Sequence, residues 1–368
     1  MRASAAQRHD RLLDLVREHG TVRLSDLAER LTVSAVTVRR DVEALAEQGL
    51  LDRAHGSVSW PERHALPQQP PDGGGLVLGM LAPSATYYFA EVIRGASEAA
   101  ARAGARLVLR ISDYRPAEDR ARTEGLLEAG AQGLLIAPGW RGPDDPAEHG
   151  GWITELPVPA VLLERRPAPG SALEELDRVS SDHRHGVLLA VRHLVGLGHG
   201  TPLLVARADS PTALAVRSGY GEALGALGLR APAPVIDSVP AEQDPEGFEA
   251  AAQALRAAVE SGKATAALVH NDVDAIQMVQ RLAELGLRVP QDLALIAYDD
   301  EVAALAGTPL TAVAPPKRHV GRHATELLIE RLTGGAAQSA DEPRRHVTLL
   351  PRLNVRASCG AGDGNPSA

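Results

Sequence analysis

The chain has 368 residues, of which 44% are hydrophobic, 23% charged and 3% aromatic, and its formal net charge is −9. This length exceeds what one ordinary hydrophobic core organises, so about two or three domains are predicted. The negative net charge excludes a protein surface that is basic throughout, but it permits one locally basic face. The single cysteine, Cys359, excludes a disulfide framework and a thiolate metal cluster. Because the sequence has no apolar run of about 18 residues and no signal-peptide pattern, we expect no membrane association and a cytoplasmic location.

Composition divides the chain into four segments. Residues 1–59 are rich in arginine and in helical patterns, and residues 60–75, WPERHALPQQPPDGGG, have a density of proline and glycine that predicts a linker. Residues 76–356 alternate apolar strand patterns with helical patterns, and residues 357–368 are expected to form a disordered tail. The sequence therefore predicts a small N-terminal domain, a linker and a large second domain.

Three helices and a wing are predicted in the N-terminal domain. The first helix covers residues 9–19, the second covers SDLAERL, and the third covers residues 35–48 after a tight turn that ends at the capping residue Ser34. The following LLDRAHGSVSW predicts two strands that turn at residues 55–56. This order of elements is typical of a winged helix-turn-helix, in which the third helix enters the major groove of DNA.

The third helix has two different faces. Val38, Val42 and Leu45 fall on one side by their spacing and are expected in the core, so the opposite side faces outward. An outward valine can contact a thymine methyl group, arginine can pair with guanine, and threonine or arginine can hold phosphate oxygens. The alternative is a solvated amphipathic helix with two surface arginines. The residues predicted to contact double-stranded operator DNA are Ser34, Val36, Thr37, Arg39, Arg40, Arg53 and His55.

The N-terminal domain is not basic overall. Residues 1–66 contain 10 Lys+Arg and 10 Asp+Glu, so their formal charges cancel. Because phosphate neutralisation supplies much of the affinity for DNA, one copy is expected to bind weakly. We therefore predict a homodimer.

The second domain is predicted to be α/β. Apolar patterns such as LVLGMLA, RLVLRIS and GLLIAP alternate with helical patterns, and the alternation continues through PLLVA, AALVH and LALIAYD. Short strands that alternate with helices indicate doubly wound parallel sheets. Because the number of units exceeds one sheet of ordinary size, we predict two lobes, residues 76–178 with 317–343 and residues 179–312 with 344–356.

Polar side chains follow several of the predicted strands. Glu164, Asn271 and Asp299 each come directly after an apolar strand, two aromatic residues follow the first strand, and an arginine lies in the helix after PLLVA. Ligands of open α/β sheets bind beyond the carboxyl ends of strands. These polar and aromatic groups suit a hydroxyl-rich small molecule, with a sugar favoured and a nucleoside as the alternative. The predicted ligand-binding residues are Tyr88, Phe89, Glu164, Arg217, Asn271 and Asp299.

Other roles remain open for some of these positions. Asp182 and Asp272 suit helix caps or hinge hydrogen bonds as well as ligand contacts. Instead of contacting a ligand, Arg217 and Asp299 could form a salt bridge that closes the cleft. Lys317 is expected where the chain crosses between the lobes, a position from which it could contact an anionic ligand. The sequence has no nucleophile–base arrangement and no metal-ligand spacing, so we predict no catalytic residue, no metal and no cofactor.

The N-terminal segment resembles a known family. LSDLAERLTVS, TVRRDVEAL and LLDRAHG together resemble the winged helix of DeoR-type bacterial regulators over about residues 8–59. Ser57 follows Gly56 where that family often has paired glycines. The resemblance implies a DNA-binding domain.

The second domain resembles a different family. LGMLAPSATYYFAEVIRG, VSSDHRHG, AVRSGYGEAL and LVHNDVDAIQMVQRLAELGLRVPQDLALIAYDDE resemble the effector domain of LacI-type repressors, which is related to periplasmic sugar-binding proteins. The resemblance implies a type I periplasmic-binding-protein-like fold. It also implies that Arg217 and Asp299 are central ligand contacts, that Glu164 and Asn271 are frequent ones, and that the aromatic pair lines the pocket.

Two classes of function are consistent with the sequence. The favoured one is a ligand-responsive transcriptional repressor that is not an enzyme, with activation as the alternative direction of control. In this interpretation a small molecule between the lobes changes the affinity of a homodimer for operator DNA. The other class is an enzyme acting on a small sugar or nucleoside, with an accessory DNA-binding domain.

Overall fold

The computed structural model describes most of the second domain and selected residues of the first: residues 12, 15–16, 21–31, 33, 38, 41–42, 45, 52–54, 57–59, 75–142, 144–334 and 342–361. The chain divides into two compact units, residues 1–73 and 74–368. Each unit has a hydrophobic core of its own.

The first unit contains a small antiparallel sheet. Strand β1 (Thr21–Arg23) leads directly into helix α1 (Leu24–Arg30), and β2 (Asp52–Ala54) and β3 (Ser57–Ser59) form a hairpin. The strand order is β1-β3-β2. The predicted two-stranded wing is therefore confirmed, and β1 joins it as a third strand that was not predicted.

The first unit is packed around the apolar face predicted for its third helix. Val38, Val42 and Leu45 are helical and buried, which confirms that this face lies in the core. They pack with Leu12, Val16, Leu27 and Val58 in one cluster. Of the predicted DNA contacts, Arg53 lies in β2, whereas Ser34, Val36, Thr37, Arg39, Arg40 and His55 lie outside the described residues.

The second unit contains two six-stranded sheets, and the first lobe is built on one of them. The strands are β4 (Val77–Ala82), β5 (Arg106–Ile111), β6 (Gly133–Ile136), β7 (Ala160–Leu163), β8 (Asp177–Ser181) and β14 (His346–Leu349). Their order in the sheet is β14-β8-β7-β6-β4-β5, and every pairing is parallel. The helices are α2 (Tyr88–Arg102), α3 (Pro116–Glu128), the short α4 (Asp145–His149) and α9 (Lys317–Thr333).

The second lobe has a parallel sheet with one antiparallel edge. The strands are β9 (Leu203–Ala206), β10 (Ile236–Asp237), β11 (Ala266–His270), β12 (Ala294–Tyr298), β13 (Thr311–Ala314) and β15 (Arg352–Asn354). Their order in the sheet is β10-β9-β11-β12-β13-β15, and β15 runs antiparallel to β13. The helices are α5 (His183–Gly196), α6 (Pro211–Leu227), α7 (Pro245–Glu260) and α8 (Asp272–Glu284). The prediction of two-lobed, doubly wound sheets is confirmed.

Local sequence signals fix the starts of the helices in the second lobe. The Ser210 hydroxyl and the Asp244 carboxylate each accept a hydrogen bond from the backbone N–H three residues ahead, and a proline follows each cap. Proline suits this position because the first N–H of a helix has no partner within the helix. Helix α6 is capped at its C-terminus by Gly228, whose φ of 66° is left-handed. These caps place the helix starts at the carboxyl ends of the preceding strands.

The chain crosses between the lobes three times. The crossings lie at residues 181–183, 314–317 and 349–352, between the last element of one lobe and the first of the other. This corrects two lobe boundaries. Residues 179–181 belong to β8 in the first lobe although residues 179–312 were predicted in the second. Residues 346–349 pair with β8 in the first lobe although residues 344–356 were predicted in the second. Only residues 352–354 of that segment pair in the second sheet.

Helices α2 and α9 cross at two glycines. A Cβ atom on Gly95 would lie 1.9 Å from the carbonyl oxygen of Arg318, and one on Gly321 would lie 1.9 Å from that of Val92. Only residues without a side chain permit this approach. The first helix of the first lobe is therefore held directly against the helix that follows the second crossing.

The C-terminal segment is ordered further than predicted. Residues 357–359 form a turn of 3-10 helix, and Ser358 and Cys359 are fully buried. The Ser358 hydroxyl donates a hydrogen bond to the carbonyl of Leu295 at 2.6 Å, and the Thr311 N–H donates one to the Ser358 hydroxyl oxygen at 2.8 Å. The predicted disordered tail is therefore wrong for residues 357–361, because these side chains complete the core of the second lobe. Residues 362–368 lie outside the described part.

Candidate functional site

Two adjoining cavities lie between the lobes of the second unit. The first, here called the tyrosine cavity, has a volume of about 210 Å³ and is lined by Tyr87, Tyr88 and Tyr114 from the first lobe and by residues that follow β9, β11 and β12 in the second. The second, here called the tryptophan cavity, has a volume of about 310 Å³ and is lined by Trp140. Both lie beyond the carboxyl ends of strands, where open α/β sheets bind ligands.

Five of the six predicted ligand-binding residues line the tyrosine cavity. These are Tyr88, Phe89, Glu164, Asn271 and Asp299. The fold therefore brings together side chains separated by more than two hundred residues in the chain. Lining residues that were not predicted include Tyr87, Tyr114, Arg165, Arg207, Asp209 and His270.

Glu164 forms the first-lobe wall together with Tyr88. Its carboxylate accepts hydrogen bonds from the Tyr88 hydroxyl (2.8 Å), from the Ser181 hydroxyl (2.8 Å) and from the Ser181 N–H (2.9 Å). Burial, reinforced by the adjacent Glu164, raises the pKa of Tyr88, so its hydroxyl stays protonated and donates. Three of the roughly four acceptor positions of this carboxylate are thus used inside the protein, which leaves little capacity for a ligand.

Aromatic and guanidinium groups complete this wall. Phe89 packs edge-on against Tyr88 with ring centroids 5.5 Å apart, and the Arg165 guanidinium lies 5.7 Å from the Phe89 ring. Arg165 is buried and donates to the carbonyls of Pro138 (2.9 Å) and Glu164 (3.0 Å). Its charge is therefore tied to the protein backbone. The wall offers ring faces and satisfied polar groups to a ligand.

Asn271, Asp182 and Asp272 form hydrogen bonds within the protein that stabilise local structure. The Asn271 side chain caps α8 by accepting from the N–H of Asp274 at 3.1 Å, and the Asp182 side chain caps α5. Asp272 accepts from the N–H groups of Val302 and Ala303 and receives the Tyr87 hydroxyl from the opposite lobe. Asp182 is thus a helix cap, and Asp272 is a bridge between the lobes.

Asp299 and His270 present buried polar atoms to the tyrosine cavity. Within the described residues, both ring nitrogens of His270 and the Oδ1 atom of Asp299 are without a hydrogen-bond partner. His270 Nε2 lies 4.0 Å from Asp299 Oδ2, and the imidazole packs 5.8 Å from the Tyr298 ring. A buried polar atom without a partner costs free energy. These two side chains are therefore suited to exchange hydrogen bonds with a bound molecule.

Burial sets the charge of this pair. Burial lowers the pKa of His270 to about 3 and raises the pKa of Asp299 to about 7. For Asp299, the charge of Lys317 opposes this rise and the carboxylate of Asp272 reinforces it, and both effects are smaller than that of burial. At neutral pH the imidazole is uncharged, with one donor and one acceptor. The carboxyl is close to half-ionised. The pair thus offers both donors and acceptors without a fixed positive charge.

Arg217 does not lie where the sequence predicted it. Its guanidinium donates to the carbonyl of Arg207 at 2.7 Å and contacts the carbonyl of Ala206 and the carboxylate of Asp237, and it lines neither cavity. The alternative salt bridge to Asp299 is not formed either, because Asp237 is the acidic partner. Arg217 instead holds the carboxyl end of β9 in place. The arginine that reaches the tyrosine cavity is Arg207, which is paired with Asp274.

Lys317 links the lobes at the second crossing. Its ammonium pairs with Glu301, donates to the backbone carbonyl of Asp299 and lies 5.3 Å from the Tyr88 ring. The side chain is buried and lines neither cavity. An anionic ligand therefore has no direct access to Lys317 in this arrangement.

Sequence reasoning missed His270 and Tyr87 by one position each. Both directly precede residues that were predicted, and each ends or follows an apolar strand run. The rule that ligand groups follow a strand could have included the last residue of the strand as well. Arg207 follows PLLVA by the same rule and was also available.

Neither a membrane-spanning helix nor a metal-binding cluster is found in the described part of the chain. No helix in the described ranges is long and apolar enough to cross a membrane. Where the structure describes the chain, no group of three His, Cys, Asp or Glu side chains could hold a metal ion.

Each unit contains a segment that matches a known domain family. Residues 8–64 match the DeoR-like helix-turn-helix domain, and residues 191–359 match the periplasmic binding protein-like domain. The HTH-type transcriptional repressor PurR of Vibrio atlanticus is 28% identical over 289 residues, which cover 76% of this chain and 80% of the relative.

Solved structures of the LacI type share the fold. A putative LacI-family transcriptional regulator from Sanguibacter keddieii is 28% identical with a TM-score of 0.60, covering 78% of this chain and all of that one. The lac repressor dimer bound to operator and the anti-inducer ONPF has a TM-score of 0.62 at 22% identity, covering 78% of this chain and 95% of that one. The chain is a ligand-responsive transcriptional regulator in which a DeoR-like helix-turn-helix domain is fused to a periplasmic-binding-protein-like effector domain.

Proposed function

We propose that the protein is a transcriptional repressor that binds a two-fold-symmetric operator as a homodimer and responds to a small polar effector in the cleft between its lobes. The observation that carries the proposal is the tyrosine cavity, which is lined from both lobes and holds the buried polar atoms of His270 and Asp299 without partners. A sugar is the favoured effector and a nucleoside the alternative. Repression is favoured because the PurR relative is a repressor.

The crossings between the lobes supply a route for the response. Tyr87 contacts Asp272 and Lys317 contacts Glu301, and each contact joins the two lobes. A molecule that exchanges hydrogen bonds with His270 stabilises one arrangement of the lobes relative to others. In a dimer, that shift changes the spacing of the paired DNA-binding domains and hence their fit to the two half-sites.

Dimerisation is proposed from the charge of the DNA-binding domain. With equal numbers of acidic and basic residues over positions 1–66, one copy gains little from phosphate neutralisation. In a dimer, binding of the first copy holds the second at a high effective concentration next to the other half-site, so the pair binds more tightly than one copy. A protein that acts on the chromosome in this way works in the cytoplasm, and it binds its effector without turnover.

Fluorescence anisotropy tests the proposal directly. The full chain is titrated onto labelled DNA from upstream of its own gene, with a scrambled duplex as the control, and then challenged with sugars and nucleosides. We expect tight binding to the upstream duplex and release by one class of small molecule that is recovered unchanged. Equal affinity for the scrambled duplex, or conversion of the small molecule, contradicts the proposal.

A further inference from the structure

Three consecutive residues around the end of β12 connect the tyrosine cavity to all three crossings between the lobes. The Tyr298 hydroxyl donates a hydrogen bond to the backbone carbonyl of His183, in the first crossing, at 3.1 Å. The backbone carbonyl of Asp299 accepts one from the Lys317 ammonium, at the end of the second crossing. Asp300 contacts the segment that follows the third crossing. Tyr298, Asp299 and Asp300 are here called the junction segment.

Arg356 and Asn354 hold Asp300 from the far side of the third crossing. The Arg356 guanidinium donates to both carboxylate oxygens of Asp300, at 2.6 Å and 3.1 Å, and the Asn354 amide donates at 2.5 Å. Such a forked contact fixes the position of a carboxylate more strictly than a single hydrogen bond does. The Asp300 side chain is only 9% exposed, so solvent screens this ion pair weakly.

Arg356 is itself attached to the core of the second lobe. Its guanidinium donates to the backbone carbonyl of Leu310 at 2.7 Å, and its N–H donates to the Thr311 hydroxyl at 2.8 Å. Leu310 and Thr311 are fully buried at the start of β13. Asp300 is therefore bonded to a side chain whose own position is fixed by the buried part of the second sheet.

The backbone of the junction segment requires such an anchor. Asp299 and Asp300 have φ values of 88° and 55°, in the left-handed region that residues with a side chain rarely adopt. Two such residues in succession cost free energy and persist where the surrounding contacts hold them. Asp299 presents its carboxylate to the tyrosine cavity. The ion pair of Asp300 therefore holds this conformation by a side-chain contact within the second lobe.

We propose that Arg356 is a positioning residue of the effector cleft, which acts through Asp300 to hold the junction segment and thereby joins Asp299 to the three crossings. Arg356 lines neither cavity, so its effect on the cleft passes through other residues. A shift of Asp299 on contact with a bound molecule is transmitted by the junction segment to every crossing at once. The inference rests on the proposed function in taking the cleft as the effector site, and its test uses neither DNA nor effector.

Hydrogen–deuterium exchange of the full chain, followed by mass spectrometry, tests the inference. Arg356→Met removes the guanidinium and keeps a long side chain, whereas Arg356→Lys keeps the positive charge and loses the fork. The reporters are the N–H groups of Asp182 and Gly186 at the first crossing and of Val320 after the second, each bonded to a backbone carbonyl in the folded chain. Arg356 forms its own hydrogen bonds with other residues.

The matched control is Arg288→Met. The Arg288 guanidinium donates to both carboxylate oxygens of Asp292, at 2.9 Å and 3.1 Å, in the same forked geometry but near the opposite end of β12. Exchange in β11, which pairs with β12 in the second sheet, is the internal reference. A general loss of stability accelerates exchange in this strand as well.

Arg356→Met is expected to accelerate exchange of the reporters at both crossings by about tenfold or more relative to β11, the scale set by a lost hydrogen bond to a charged group. Arg356→Lys gives a smaller acceleration, and Arg288→Met leaves the reporters unchanged. The inference is overturned if faster exchange stays within residues 299–303 and 352–358, if β11 accelerates as much as the reporters, or if Arg288→Met has the same effect. Because DNA and effector are absent, each of these failures is distinct from a failure of the proposed function.

A second measurement connects Arg356 to the cleft carboxylate itself. Burial raises the pKa of Asp299 to about 7 from an ordinary 3.8, so this group makes the folded chain more stable at pH 5 than at pH 7, and Asp299→Asn removes that contribution. Urea unfolding at both pH values compares Asp299→Asn in the unmodified chain and in Arg356→Met, and the subtraction cancels the titration of Asp300. We expect a much smaller effect of Asp299→Asn in Arg356→Met, because a junction segment that is no longer held lets the carboxylate reach water. An equal effect in both chains contradicts a positioning role.

Discussion

Replacing His270 or Asp299 is expected to reveal two opposite pH dependences that nearly cancel in the unmodified protein. His270 has its pKa lowered by burial to about 3 from an ordinary 6.5, so its contribution to stability is present above pH 6.5 and is lost as the pH falls toward 3. Asp299 has its pKa raised by burial to about 7 from an ordinary 3.8, so its contribution is present below pH 3.8 and is lost as the pH rises through 7.

The two effects are similar in size between pH 7 and pH 5. Linkage gives a loss of about 2 kcal/mol from His270 on acidification, because the unfolded imidazole takes up a proton that the buried ring does not. It gives a gain of about 2 kcal/mol from Asp299, because the buried carboxyl takes up a proton that the unfolded one does not. Burial is the first cause of each shift and is independent of the other group, so each effect persists when the other is removed.

The variants His270→Leu and Asp299→Asn separate the two effects. Leucine removes the ring nitrogens and keeps an apolar side chain of similar volume, and asparagine tolerates the left-handed backbone of Asp299, whose φ is 88°. Between pH 7 and pH 5, His270→Leu is expected to gain stability and Asp299→Asn to lose it. The difference between the variants changes by about 4 kcal/mol over this range.

Urea unfolding at pH 5, 6 and 7 measures this difference. Tryptophan fluorescence reports on the first lobe through Trp140 and Trp152. Groups that titrate equally in both variants cancel when the two free energies of unfolding are subtracted. Parallel pH profiles for the two variants would refute the reasoning, since they would mean that neither group titrates with its shifted pKa in the folded chain.

Three further outcomes are expected. Gly95→Ala is expected to lower the free energy of unfolding by more than about 2 kcal/mol, because the added Cβ atom would overlap the carbonyl oxygen of Arg318. The control Gly225→Ala has open space around it and is expected to stabilise the protein slightly. Chemical unfolding measures both changes. Arg331→Ala removes the two hydrogen bonds that its guanidinium donates to the buried Asp177, and it leaves that carboxylate only the exposed Arg344, 3.6 Å away, as a countercharge. It is expected to cost about 3–5 kcal/mol by the same measurement, and a loss below 1 kcal/mol contradicts a buried pair. Arg40→Ala is expected to weaken operator binding by about 1–3 kcal/mol in anisotropy titrations and to leave effector binding, measured by calorimetry, unchanged. An unchanged operator affinity would contradict the prediction that the third helix contacts DNA.

The architecture of the second unit was predictable because it depends on local patterns. Runs such as AALVH and LALIAY have the length and apolar content of buried parallel strands, and the helices between them carry their own caps. The core face of the third N-terminal helix was predictable for the same reason, since the spacing of Val38, Val42 and Leu45 determines a face.

Features that depend on distant contacts were not predictable. Residues 346–349 have no local signal that selects β8 as their partner over the adjacent second sheet. Cys359 follows a polar segment, and its burial depends on Thr311 and His193, which are far away in the sequence.

The direction of individual side chains was also beyond the sequence. Arg217 lies in the predicted helix, but a change of one helical position turns a side chain by about 100°. The sequence therefore could not decide between the cavity and the strand-end carbonyls that Arg217 actually holds. His270 was missed because the sequence cannot say whether the last residue of a strand points into the sheet or into the cleft.

The last crossing between the lobes has a consequence for how the protein is made. Residues 346–349 form the edge strand of the first sheet, and residues 352–354 form the edge strand of the second. Neither sheet is complete until the ribosome has released this short segment, although most of the first lobe is synthesised long before. Nascent chains that stop before residue 346 therefore expose an open edge on β8 and another on β13, and such edges favour pairing with other chains. A truncation in this segment is expected to cause aggregation of the whole effector domain rather than the loss of one lobe.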